Sequence, residues 1–376
     1  MCRVVTGKKM PPCVLLTLSR IFPKPSSLIL RTVQIVRLSR GKEEYRLSNG
    51  REEAVMGKTL VVGYGSALGY WRAARVAGSG LDEGCPGKVF GARKLSLSEQ
   101  TQRALSLCKS DRPLDAVIGD RAGHHNCQMI ADHIWRGPLQ AAHLLNVGSG
   151  IMICRPQVVF AQLAASLDEV DLALIACELA GTYGLVPWAD EPLATRVSPL
   201  LDVAGFRGYA SSAKALGVRG SSRALNALEL AVDGSNSPRE TAVAVILLLT
   251  RPYGGYDLPG FVMNQPIELP QELAEFVGAG ALRPDFYWPT ARLIVEYDSD
   301  AYHLNSRQKA RDEARRLAFQ AAGYELLTLN NEMLTDSDKL DTFMAEVARR
   351  LGVRRRMPSA HMLAVRRETC ERLFGR

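Results

Sequence analysis

The chain has 376 residues, with 47 Lys and Arg against 39 Asp and Glu, a formal net charge of +8 and a pI near 9.1. An apolar content of 47% can fill the cores of about two to three domains and excludes a disordered or fibrous chain. No apolar run is long enough to span a bilayer, and the basic excess favours an anionic partner.

Arg3, Lys8, Lys9, Arg20, Lys24, Arg31, Arg37, Arg40 and Lys42 all precede the first acid, Glu43. Such an acid-poor start imitates an organelle transit peptide, but it has no signal-peptide core or cleavage site. A compact pattern begins only at Lys58-Thr59-Leu60-Val61-Val62-Gly63. The expectation is therefore a natural start at Met56, with residues 1–55 a basic, poorly ordered extension.

Residues 56–153 read as an α+β domain. Ser66 to Arg72 opens a helix, and Asp115–Ile118 and Gly150–Ile153 read as strands. His124, His125, Cys127 and His133 lie close together in sequence, but their spacing matches no zinc pattern. The eight cysteines are scattered without a Cys-x-x-Cys pair, and Cys154 and Cys177 sit in apolar contexts. That usage predicts buried thiols in a reducing cytoplasm.

Residues 154–232 read as a helical connecting region. Pro156 begins a helix to about Ser166, and Asp168 begins another through Ala180. Pro192, Pro199, Gly205, Gly208, Gly217, Gly220 and Gly234 mark 189–236 as a connection with one helix near Ser222–Val232. The main domain boundary is expected near Asp233, with a second domain over 233–352.

That domain opens on Ser237-Pro238-Arg239-Glu240, where Ser237 is an N-cap and Pro238 a first helical residue, before an apolar run that Arg251-Pro252 ends. Glu240 has two readings here: a capping-box partner reaching back to the Ser237 amide, or an acid of a functional site.

Arg292 to Asp298 alternates as a strand does, with Leu293, Val295 and Tyr297 on one face and Ile294, Glu296 and Asp298 on the other. Asp285 to Trp288 reads as the preceding strand, reversed through Pro289, Thr290, Ala291 and Arg292. A turn centred on Thr290 and Ala291 sets Asp285 opposite Glu296, where Cβ atoms are about 5 Å apart. Two like charges at that spacing call for a cation between them. Carboxylate oxygens with room for waters suit magnesium, with manganese as a substitute, and the chemistry such a site serves is phosphodiester hydrolysis. The plain alternative is two surface acids on an edge strand.

Pro284-Asp285, then Glu296-Tyr297-Asp298 and Tyr302-His303, resembles the PD-(D/E)XK nuclease superfamily, and within it the very-short-patch-repair-like endonucleases and their bacterial relatives. The helix carrying Arg311-Asp312-Glu313-Ala314-Arg315-Arg316 and the strand from Ala322 to Leu329 fit the same pattern, so the resemblance covers roughly residues 235–352. It implies a restriction-endonuclease-like mixed sheet flanked by helices. Asp285, Glu296 and Asp298 would hold the metal, with Glu240 and His303 assisting. The superfamily places a lysine two residues after the second acid, where this chain has Asp298, and His303 is the substitute base. No cluster for the structural zinc of the repair enzymes can be built from His303, His361 and Cys370, so mismatch recognition is not carried over.

In the helix from Ser306 to Ala322, Arg311 and Arg315 lie four apart, set either to steer phosphate or to pair with Asp312 and Glu313. Beyond it, residues 353–376 read as a basic tail in which Arg354, Arg355 and Arg356 are the leading nucleic-acid contacts. The part before residue 233 weakly resembles abortive-infection antitoxin proteins, which implies a place for a winged helix. Two functions stand: a metal-dependent endonuclease acting on DNA, and a non-catalytic DNA-binding regulator of antitoxin type on an inactive nuclease fold.

Overall fold

The structure is a computed structural model in which residues 59–78, 95–298 and 306–375 are described. The chain divides into two units: one takes the described residues up to Leu179 together with Tyr183–Leu228, and the other takes Ala180–Thr182 and everything from Glu229. Both are α/β, with mixed sheets flanked by helices. No described helix is long and apolar enough to cross a membrane. The expected basic extension over residues 1–55 lies outside the described residues.

The first unit is organised by strands β1 (Leu60–Val62), β2 (Leu114–Ile118), β3 (Ile130–Ile134), β4 (Leu144–Asn146) and β5 (Ile151–Cys154). They form one sheet in the order β3-β2-β1-β5-β4. β1 pairs parallel with β5 and β2 parallel with β3, while β1–β2 and β4–β5 are antiparallel. This five-stranded mixed sheet stands where the antitoxin resemblance left a place for a winged helix. β1 is buried at all three positions, which is why Leu60-Val61-Val62 reads as an unbroken apolar run.

Helix α1 (Tyr64–Val76) leaves β1 directly. Its first turn is held by polar groups from elsewhere in the unit: the Tyr64 amide donates to Gln162 Oε1 at 2.8 Å and the Ser66 amide to Asp115 Oδ2 at 2.7 Å. Ser66 Oγ accepts from the Asp115 amide at 2.8 Å, so strand and helix are tied reciprocally. Helix α2 (Leu97–Cys108) begins with a capping box between Ser96 and Glu99. α1 packs on α2 so closely that a Cβ at Gly69 would lie 2.3 Å from the Cys108 carbonyl oxygen. Gly69→Ala is therefore expected to destabilise this unit by about 1–3 kcal/mol through forced separation of the helices, read as a lowered urea midpoint at unchanged m.

Helices α3 (Pro156–Leu163), α4 (Glu169–Ala180), α5 (Val203–Ala215) and α6 (Ser221–Leu228) and the antiparallel pair β6 (Tyr183–Leu185) and β7 (Leu193–Thr195) complete the unit. The stretch expected as a connection with one helix holds two, α5 and α6, packed on each other. Phe206, Tyr209, Ala210 and Ala213 of α5 are buried at helical spacing, a stripe that Gly205 and Gly208 disguise in the sequence. At the centre lies an ion pair with both side chains almost fully buried: Arg72 Nε donates to Glu178 Oε1 at 2.8 Å, and Arg72 Nη2 bonds Oε2.

The second unit is built on a four-stranded sheet in the order β13-β12-β11-β8, from β8 (Val262–Met263), β11 (Phe286–Trp288), β12 (Leu293–Asp298) and β13 (Glu325–Asn330). β12 pairs parallel with β13, and the other pairings are antiparallel. A small hairpin of β9 (Ile267–Glu268) and β10 (Ala281–Leu282) brackets helix α8 (Gln271–Val277). Helix α9 (Ser306–Ala321) places Ala318 and Phe319 against Ile267, Leu282 and Ile294. It ends at Gly323, whose φ of 81° only glycine adopts without strain.

Helix α7 (Pro238–Leu248) is buried along nearly its whole length, so Ala242 to Leu247 are apolar on every face. Helices α10 (Asn331–Thr335), α11 (Ser337–Arg350) and α12 (Ala360–Phe374) close the unit. The stretch read from sequence as a basic tail thus holds an ordered helix. Arg366 of α12 is 3% exposed, ion-paired to Asp341 at 2.7 Å and bonded to the Gly254 and Gly255 carbonyls.

Candidate active site

The register of β11 against β12 is Phe286↔Val295, Tyr287↔Ile294 and Trp288↔Leu293. Continuing it by one residue puts Asp285 across from Glu296, the arrangement that a turn centred on Thr290 and Ala291 demands. Arg292, at φ 49°, closes that turn with its amide on the Pro289 carbonyl. The two carboxyls are anchored differently. Asp285 Oδ2 accepts from the Tyr297 amide at 2.8 Å, and Glu296 Oε1 accepts from Arg315 Nη2 at 2.8 Å. Arg315 also bonds the Arg283 carbonyl.

Glu240 reaches the same locality from the first turn of α7. Its carboxyl accepts from the Asn236 amide at 3.0 Å, Ser237 Oγ at 2.9 Å and Asn264 Nδ2 at 2.8 Å. The expected capping box is present with one change: the carboxyl bonds the amide of Asn236, not that of Ser237. Cap and site acid are therefore one residue, because the helix start is where the chain brings Glu240 beside the hairpin. Burial raises the Glu240 carboxyl, and the Glu296 charge adds to the rise. Burial likewise pushes Asp285 up to about 7, reinforced by the Glu240 charge. Glu296 is pushed up to about 7 by burial, which outweighs the opposing Arg315 charge.

Asn264 was not among the expected residues. It adopts φ 52° and bonds outward in three directions: its amide to the Pro284 carbonyl at 2.9 Å, and Nδ2 to Glu240 Oε2 at 2.8 Å and to the Gly234 carbonyl at 3.0 Å. Its carbonyl accepts from Arg283 Nη1 at 3.0 Å. Asn264 therefore ties the start of α7 to the backbone leading into Asp285. An Asn between two short strands tolerates the left-handed region, and that was its only signal in the sequence.

Asp298 lies two residues beyond Glu296, opposite Asn330 of β13. The charges acting on Asp285 are those of Glu240 and Arg315, and on Glu296 those of Arg315, Asp285 and Asp312. Among the described residues no group of three or more His, Cys, Asp or Glu side chains is arranged to hold a metal ion. His303 lies outside the described residues. Arg311 is exposed, whereas Arg315 turns inward onto Glu296, so the two arginines read together as phosphate contacts do different things. Arg354 and Arg356 are exposed, but Arg355 lies 5.1 Å over the Tyr256 ring and is half-buried.

In the first unit, His124 and His125 both place Nδ1 on Asp132, at 2.5 and 3.2 Å. His133 points away from them and stacks on Tyr64 with ring centroids 3.9 Å apart. The buried thiol of Cys154 is pushed up to about 12 by desolvation.

The raised carboxyls set a pH dependence. Between the ordinary Asp and Glu range near 4 and the folded values near 7, the folded state keeps protons that the unfolded chain has released. Stability therefore falls as pH rises through that window and levels off above it. Thermal unfolding in EDTA from pH 5 to 8 is expected to show this fall. The Asp285→Asn/Glu296→Gln variant should be visibly flatter over the same range, and an unchanged slope would show that the two carboxyls titrate normally.

No family model, curated protein or solved structure matches this chain.

Proposed function

We propose that the second unit is a metal-dependent endonuclease of restriction-endonuclease-like fold, hydrolysing phosphodiester bonds in DNA. The supporting observation is the convergence of Asp285, Glu296 and Glu240, from a hairpin and a helix start, with all three carboxyls raised by shared burial. An enzyme gains from holding acids in that costly arrangement only if charge arrives to compensate it.

The donor set fits magnesium, or manganese in its place, since such an ion takes one or two protein carboxylates and completes its shell with waters and phosphate oxygens. Asp285 and Glu296 would hold it. When bound it supplies a water of lowered pKa and neutralises charge on the scissile phosphate. The chain does the rest. The Tyr297 amide orients Asp285, and Arg315 holds Glu296 while contributing the positive charge that Asp298 cannot give in the superfamily's lysine position. Glu240, with its carboxyl raised by burial, stands beside the pair as a candidate acid–base group. Asp298, the last residue of β12, stands as an assisting group.

One observation favours the second reading, a DNA-binding regulator with an inactive nuclease fold: Arg315 already pairs with Glu296 at 2.8 Å, so one of the acids has a cationic partner without a metal. Purified full-length protein incubated with supercoiled plasmid, linear duplex and single-stranded DNA in magnesium, manganese or EDTA decides between them. Metal-dependent cutting that the Asp285→Asn/Glu296→Gln variant lacks supports the nuclease. Metal-independent retention of DNA by both proteins, with no cutting of any substrate, supports the regulator.

A further inference from the structure

Behind the C-terminal end of α7, the second unit carries a surface that the acid site does not use. The turn Arg251–Tyr253 leaves the Tyr253 side chain 69% exposed, although the backbone beneath it is held firmly. The Tyr253 carbonyl accepts from Thr369 Oγ1 at 3.1 Å, and Gly254, at φ 88°, lies so close to α12 that a Cβ there would sit 2.5 Å from Thr369 Oγ1. Arg251 Nη2 donates to the Arg356 carbonyl at 2.5 Å, which joins this turn to the 353–357 connection between α11 and α12. That connection exposes Arg354 and Arg356, with Met357 91% and Val353 43% exposed. The nearby carboxylate, Asp341, is engaged by Arg366 at 2.7 Å and by the Tyr256 hydroxyl at 2.7 Å.

An aromatic ring on a rigid turn beside uncompensated guanidinium groups is the combination that takes an unpaired base on the ring and its flanking phosphates on the arginines. A duplex offers the phosphates but keeps its bases stacked inside. We propose that Tyr253, Arg354 and Arg356 form a stacking platform for single-stranded nucleic acid. The platform feeds the nuclease site and so rests on that reading. From Glu240 to Leu248, α7 spans about 12 Å at 1.5 Å per residue. Glu240 lies in the first turn of α7, and the Arg251–Tyr253 turn follows its other end. The substrate class that follows is DNA with an unpaired segment: a flap, a bubble or a single-stranded tail.

Fluorescence anisotropy with labelled oligo-dT and with a random-sequence duplex of equal length, in EDTA and over a salt series, tests this on the full chain. Tyr253→Ala is expected to weaken oligo-dT binding roughly tenfold and duplex binding little, with Tyr253→Phe close to the parent protein. Arg354→Gln/Arg356→Gln should lower the slope of log K against log salt on oligo-dT by about 1.4, at about 0.7 per lost phosphate contact. The platform is overturned if the parent protein fails to bind oligo-dT, if Tyr253→Ala binds it as the parent does, or if that variant loses both ligands equally. The two proposals fail separately. Loss of oligo-dT binding in Tyr253→Ala by a protein that cuts nothing keeps the platform and removes the nuclease. Cutting that depends on Asp285, with unaltered binding by Tyr253→Ala, does the reverse.

Discussion

Asp285→Asn is expected to reduce magnesium-dependent cutting of plasmid DNA about a thousandfold, with DNA retention in EDTA unchanged or improved. The size follows from the chemistry: a carboxylate holding a catalytic cation accounts for several kcal/mol of transition-state stabilisation, and each 1.36 kcal/mol is tenfold in rate. The selectivity follows from the geometry. Asn keeps an oxygen where Asp285 Oδ2 accepts from the Tyr297 amide, so the hairpin retains its shape. It also removes a carboxyl that burial has already pushed up to about 7, so folding loses nothing at neutral pH. An expressed, folded variant that cuts as fast as the parent would remove Asp285 from the site. A variant that binds DNA more tightly, from a parent that does not cut, would assign the acids to a regulator that repels phosphate.

Arg72→Met is expected to cost the first unit about 3–5 kcal/mol, the amount lost when one partner of a buried pair is left without the other. Arg72 and Glu178 side chains are 3% and 1% exposed, so water cannot rescue the abandoned carboxylate. Glu178 is also fixed from other directions: its carboxylate accepts from the Leu185 amide at 3.1 Å, and its carbonyl accepts from Arg75 Nη1 at 2.9 Å. It therefore cannot swing out to solvent. The melting transition of that unit should drop by roughly 10 °C, at about 2–4 °C per kcal/mol for a unit of this size. Adding Glu178→Gln to Arg72→Met should recover part of the loss, since the buried charge then disappears. Equal melting of the parent and the single variant would show that the pair is hydrated.

Apolar alternation from Arg292 to Asp298, with Pro289 and Thr290 ahead of it, was enough to give strand, turn and register, because side-chain period and turn length are local properties. Ser237-Pro238 marked the start of α7 for the same reason. Glycines hid α5, where Gly205 and Gly208 interrupt the look of a helix but not its buried stripe of Phe206, Tyr209, Ala210 and Ala213. The basic C-terminal stretch read as a tail because nothing nearby in sequence announces that Arg366 has Asp341 and the Gly254 and Gly255 carbonyls to bond.

The sequence alone therefore determined that Asp285 and Glu296 meet, since one hairpin carries both. Only the tertiary structure decided that Glu240 joins them through Asn264, that Arg315 turns inward while Arg311 faces water, and that Tyr253 stands out beside Arg354 and Arg356. Each of those outcomes depends on contacts between segments far apart in the chain. Burial and pairing across such distances decide which charge is desolvated and which is free, and neither local spacing nor composition carries that information.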